Sequence, residues 1–215
     1  MKKQRILLTI LLMAIIFTIH PQNKNDLSGW GTTDVVFTHN RWEFTGSLEY
    51  RSKENLSNTD LFSIAQYNRY TFSQFFKLSA GYEIFFTNIP NRNTVIEHRL
   101  LLQNESSIQF WKIKVDNRLS LLNDFEKIGY PGWGFRDRIR IKYLIKYVEP
   151  FTFIELYYKW KNEQISHNKN RYAIGIHIPV NTKNTVGLYY MREHYFQKVF
   201  DNNIIGLSYV LTVHI

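Results

Sequence analysis

The sequence predicts an all-β chain, an antiparallel transmembrane β-barrel of ten or twelve strands preceded by a cleaved signal peptide. Three observations carry that expectation. The segment Asn203 to Ile215 alternates residue by residue up to the carboxyl terminus. Ile205, Leu207, Tyr209, Leu211, Val213 and Ile215 share one face, and Gly206, Ser208, Thr212 and His214 share the other, the period of two of a strand between unlike environments. The chain is also aromatic-rich, with 16% Phe, Trp and Tyr, although no apolar run beyond the first twenty residues is long enough for a transmembrane helix. Finally, short and long connections alternate along the chain, as the inner turns and outer loops of membrane barrels do.

Taken in order, residues 1–21 read as a secretory leader: Lys2, Lys3 and Arg5 ahead of the apolar stretch Ile6 to Ile19. Residues 22–215 form the single expected domain. Removing the three basic leader residues lowers the formal charge from +9 to +6. In an exported protein that balance points to anionic lipid head groups and not to nucleic acid. The absence of cysteine excludes disulfides, thiolate metal sites and an acylated cysteine anchor.

Nine segments alternate cleanly. Trp42 to Arg51 sets Trp42, Phe44, Gly46, Leu48 and Tyr50 against Glu43, Thr45, Ser47, Glu49 and Arg51. Phe76 to Phe86, Ile96 to Glu105, Ile113 to Leu121, Arg136 to Tyr147, Thr152 to Trp160, Tyr172 to Ile178, Thr185 to Arg192 and the closing segment follow. Gly29 to Phe37 and Asp60 to Phe72 are less regular and bring the candidates to eleven. Bacterial barrels have even counts. Either Gly29 to Phe37 is not a wall strand, leaving ten, or a twelfth lies around Gln22 to Gly29, the reading preferred on the sequence. Long loops are expected at Ser52 to Thr59, Thr87 to Asn93, Asn123 to Phe135, Lys161 to Asn170 and Tyr195 to Asn202.

Periodicity reveals two faces without naming the inner one; a soluble ligand carrier would turn the apolar face inward. Gly81, Gly175, Gly187 and Gly206, with Ala173, fall on the polar face, and small residues belong on the concave side of a curved wall. Gly46 is the exception. The charges are therefore expected inside and the apolar side chains against lipid.

The inward charges are the candidate site: Glu97, Arg99, Glu105, Asp116, Arg118, Arg138, Arg140, Lys142, Glu155 and Arg171, a two-signed set able to interlock as a salt-bridged plug. The alternative is an anion-attracting eyelet built on Arg118, Arg138 and Arg140. Tyr130, Trp133 and Phe135, on a Pro/Gly frame, are the candidate recognition loop or an aromatic rim anchor. No catalytic residue is assigned: Glu163, Ser166 and His167 share a loop too loosely framed for a nucleophile. His98 falls on the lipid face, with Tyr82 as a neighbour. His177, His194 and His214 lie on different strands without ligand spacing, so neither metal nor cofactor is expected.

The chain resembles a known family in Glu97-His98-Arg99, Asn117-Arg118-Leu119, Arg138-Ile139-Arg140 with Tyr143, Glu155, Asn170-Arg171 before Gly175, and Gly187-Leu188-Tyr189-Tyr190-Met191. The family is domain of unknown function 2490, of Bacteroidetes type. The resemblance implies an exported outer-membrane barrel and supplies no activity. The partners expected are the lipid bilayer, lipopolysaccharide and the barrel-assembly machinery acting on the closing strand. The protein is expected to be a monomer that binds no nucleic acid, in the outer membrane of a Gram-negative cell. Its expected role is structural or recognitional with a charge-filled lumen; alternatives are a narrow anion-biased channel or a lipid-modifying enzyme.

Overall fold

Each of the eleven alternating segments becomes one strand. The computed structural model describes residues 26–88, 94–125, 132–161, 164–196 and 201–215; the expected leader and Tyr130 lie outside them. The strands are β1 (Asp26–His39), β2 (Trp42–Lys53), β3 (Asn58–Ser73), β4 (Phe76–Thr87), β5 (Val95–Phe110), β6 (Ile113–Phe125), β7 (Gly132–Tyr143), β8 (Glu149–Lys161), β9 (Gln164–Pro179), β10 (Asn184–Tyr195) and β11 (Asn202–His214). They form one closed barrel in sequence order, β11 returning to β1.

The expected ten or twelve strands are thereby corrected to eleven. Gly29 to Phe37 lies within a full wall strand, and β1 pairs directly with β11, so no twelfth strand fits between them. With an odd count the first and last strands run the same way, and the seam is parallel, Asp26 opposite Asn202 through Thr38 opposite His214. Parallel ladders use evenly spaced, slanted bonds and are slightly weaker per residue than antiparallel ones. The lower end of the seam is reinforced: Ile215 N donates to Thr38 O at 3.0 Å, and Thr38 Oγ1 lies 2.6 Å from His214 Nδ1.

Short turns and the end of β11 share one rim; the longer connections and the start of β1 share the other. Several strands run further toward the long-loop rim than their composition suggests. β9 starts at Gln164, so most of the expected loop Lys161 to Asn170 is wall. β6 continues to Phe125 and β7 starts at Gly132.

The alternation is visible in burial. On β2, Trp42, Phe44, Leu48 and Tyr50 are 40–47% exposed, while Glu43, Ser47, Glu49 and Arg51 turn inward. Ile139, Ile141, Ile154, Leu188 and Leu207 continue this outer apolar face on other strands. Aromatic clusters mark both rims. Trp42, Tyr70, Phe72 and Phe76 meet in series near the short turns. Tyr158, His167 and Phe196 do so near the long loops.

Inward glycines make room for rings. A Cβ on Gly206 would overlap the Tyr189 ring, and one on Gly81 would overlap the Tyr67 ring. The outward Gly46 has nothing near that position. Eleven strands spaced about 4.8 Å apart and tilted about 40° close on a radius of roughly 11 Å. Long side chains from facing walls can meet inside such a cylinder.

Candidate functional site: the filled lumen

Alternation along β5 to β9 sends a column of ionised side chains inward, and curvature brings columns from different strands together. Near the short-turn rim the centre is Asp116, only 2% exposed. Arg140 donates to its Oδ2 through Nη2 at 2.9 Å and Nε at 3.2 Å. Lys114 and Lys142 stand 3.3 and 3.8 Å from the same carboxylate. Elsewhere near this rim Glu43 holds Arg69 at 2.9 Å and Lys77 at 2.7 Å. Glu105 stands in register between Lys77 and Arg118.

At mid-height the centre is Glu155. Arg171 Nη1 donates to it at 2.9 Å and Arg118 Nη2 at 3.2 Å, with Arg136 Nε at 3.8 Å. Arg138, between Arg118 and Glu155 in register, turns its guanidinium over the Phe153 ring at 5.3 Å. Toward the long-loop rim Arg171 also donates to Glu193 at 3.3 Å, and Lys169 to the same residue at 2.6 Å. Arg99 bridges Glu83 at 3.2 Å and Asp124 at 2.5 Å, and Tyr67 Oη donates to Glu83 at 2.5 Å. Glu97 faces the same space, accepting from Thr87 Oγ1 at 3.4 Å. Ion pairs so removed from water are costly to break, because removal of one partner leaves the other charge buried.

The lumen also contains apolar matter that sequence reasoning missed. Leu101, Leu122 and Tyr157 form a buried cluster on which Tyr67 packs. This brings β3 against β5, β6 and β8. Ala173, Met191 and Ile204 form a second, joined by Trp30, Phe153 and Tyr189. Trp30 lies between two guanidinium groups, with Arg51 Cζ 4.0 Å and Arg171 Cζ 5.0 Å from its ring centre, an arrangement that fixes all three groups.

Ten residues singled out from the sequence thus face the lumen, gathered around several centres and not in one. Glu83, Asp124, Arg136, Lys169 and Glu193 were missed. Glu83 was on the correct face but not chosen; Asp124, Lys169 and Glu193 lie just beyond the strand ends drawn from the sequence. Extending the period of two past those ends would have found them.

Two of the three candidate recognition residues lie on a strand and not in a loop. Trp133 and Phe135 belong to the outer face of β7, 47% and 38% exposed, because they continue the alternation of Ile139 and Ile141. Phe135 packs on Tyr158 across the wall, centroids 6.3 Å apart. His98 lies outside, its Nδ1 2.6 Å from Tyr82 Oη. Ser166 donates to the Lys159 carbonyl at 3.4 Å, and His167 Nε2 lies 2.7 Å from Asn170 Oδ1, so these neighbours have separate partners. His177 stacks on Phe151, His194 contacts Asp201 and His214 contacts Thr38. Among the described residues no three metal-ligating side chains converge.

A family model described as "Protein of unknown function (DUF2490)" matches residues 28–203. No curated protein matches the chain.

Proposed function

The chain belongs to the DUF2490 family, and on that premise we propose that it is an outer-membrane β-barrel whose filled lumen makes it a structural or recognition element and not a conduit. The packing of Tyr67 from β3 onto Leu101, Leu122 and Tyr157 carries this reading. Among the described residues, rings that cross the interior and ion pairs that stitch it narrow any aqueous path, which supports an occluded lumen.

Membrane residence is supported by the outer face. A side chain such as Leu or Phe left in water forfeits about 1.5–3 kcal/mol relative to burial, and Leu48, Ile64, Leu100, Ile139, Ile154, Leu188 and Leu207 are all 45–56% exposed. Lipid removes that penalty, and the aromatic clusters at the two rims suit its interfaces. The protein acts as a monomer in contact with phospholipid and lipopolysaccharide, exported by its leader and assembled through the closing strand. Planar-bilayer recording of the purified protein tests the reading. Little or no steady conductance is expected; a stable large conductance overturns it.

One observation favours a second reading, a narrow anion-biased channel. The Nε atoms of Arg118, Arg136 and Arg138 are buried without a hydrogen-bond acceptor among the described residues, so the positive charge of these groups is incompletely paired within the wall. A reversal potential shifted toward the anion, and moved back by Arg138→Glu, would establish it.

A further inference from the structure

Above the mid-height ion pairs the lumen opens into a cavity of about 230 Å³ at the long-loop rim. Its lining is chemically one-sided. Arg51, Arg99, Arg136, Lys159, Lys169 and Arg171 face it from β2, β5, β7, β8 and β9, against a single carboxylate, Glu97. The carboxylates that neutralise this ring stand behind it: Glu49 on Arg51, Glu83 and Asp124 on Arg99, Glu155 and Glu193 on Arg171.

Hydrogen bonds are unevenly used. Asp124, Glu155 and Glu193 each accept at least two bonds from cations. Among the described residues Arg136 makes no hydrogen bond to protein: its Nε is buried without an acceptor, its one ionic neighbour is Glu155 at 3.8 Å, and Arg51 Nε is orphaned in the same way. Buried donors without acceptors are costly and call for a partner. The cavity is therefore lined by six cationic side chains against one carboxylate, and one of the six, Arg136, makes no hydrogen bond to the described wall.

We propose that this cavity binds a phosphate group. A carboxylate offers two oxygens in one plane and suits one guanidinium fork. Here the guanidinium groups come from separate strands around the wall, which matches an anion with oxygens pointing in several directions. Space permits it: a cavity of about 150 Å³ already accepts benzene, so about 230 Å³ admits a phosphate with part of the molecule that carries it. Tyr157 and Tyr195, also on the lining, add a surface for that carrier. The site deepens the recognition role proposed above and rests on it, since the ion pairs below the cavity form its floor.

The test is calorimetric titration of the full chain in detergent with inorganic phosphate and with glucose 1-phosphate. A parallel measurement uses nanodiscs of phosphatidylcholine with and without phosphatidic acid. Saturable binding of a soluble phosphate identifies a free or sugar-borne group, and binding seen only with phosphatidic acid identifies a lipid headgroup; either supports the site. Arg136→Gln, which breaks no hydrogen bond to the described wall, should weaken binding about 10-fold to 100-fold. Lys112→Gln, exposed in the short turn at the opposite rim, should leave it unchanged. Failure of folded protein to bind any of these probes, or equal losses in the two variants, overturns the proposal. Conductance recorded on the same preparations judges the floor separately. Phosphate binding by a conducting barrel would refute the occluded lumen but keep the site, whereas a silent barrel without phosphate binding would refute the site alone.

Discussion

Arg118 on β6 reaches over β7 to Glu155 on β8, Nη2 to Oε2 at 3.2 Å. Strands two apart are separated by roughly 10 Å, a gap that this contact spans with the length of an arginine side chain on the concave face of the wall. It also passes Arg138, which occupies the intervening register position. Glu155→Ala would leave Arg118, Arg136 and Arg171 without their shared anion. A loss of about 3–5 kcal/mol is expected, read as a lower unfolding midpoint in detergent. Coupling between the pair, measured by a double-mutant cycle with Arg118→Met, should exceed that between Glu155 and the remote Arg69.

Closure by eleven strands can be tested with cysteines, since the native chain has none. Thr33 and Tyr209 are partners across the parallel seam. The double variant Thr33→Cys, Tyr209→Cys should oxidise to an intramolecular disulfide, seen as a mobility shift reversed by reductant. Thr33→Cys with Asn203→Cys should not, because six residues of strand separate those positions by about 20 Å. The opposite pattern would rule out this seam.

Gly206 and Tyr189 exchange volume inside the lumen. Gly206→Val drives a side chain into the Tyr189 ring and should destabilise the barrel by about 1–3 kcal/mol. Adding Tyr189→Ala should recover part of that loss. Gly46→Val, on the open outer face, should cost far less. Heat-modifiable migration on gels gives the ranking.

Asp201, outside the strands, tests pH. Burial raises its carboxyl pKa, but hydrogen bonds from Arg192 and His194 more than offset this and hold it below the usual value. A depressed folded pKa stabilises above the ordinary carboxylate range and loses that contribution as pH falls through the folded value. Both partners are over 40% exposed, so the effect is at most about 1 kcal/mol. Protection factors at residues 192–196, taken against the intrinsic exchange rate at each pH, should fall by up to about 5-fold in acid, and Asp201→Asn should remove most of that pH dependence.

The two faces of the wall were legible because a period of two runs along most of each strand, interrupted by register shifts at Arg51/Ser52, Thr71/Ser73 and Tyr157/Tyr158, and glycines on the polar face told which face was concave. Partners inside the lumen were not. Arg118 and Glu155 lie 37 residues apart, and their meeting depends on the register of three successive strands, which no local pattern encodes. Lys169 was hidden by an Asn- and Lys-rich stretch that resembles a loop, although Lys169, Arg171 and Ala173 keep the strand period. Leu101 and Leu122 escaped notice because leucines flank them, and an apolar run does not declare which member faces inward. The odd strand count was rejected on general expectation, while the eleven segments themselves were plainly marked.

The seam leaves the start of β1 and the end of β11 at opposite rims: Asp26 enters beside Asn202, and at the last of thirteen register pairs Thr38 leaves beside His214. A circularly permuted version would need a bridge running the height of the cylinder, on the order of 30 Å after tilt. With rings crowding the interior and apolar side chains covering the exterior, such a tether has no comfortable route. Relocating the chain's ends should therefore defeat assembly however flexible the added linker.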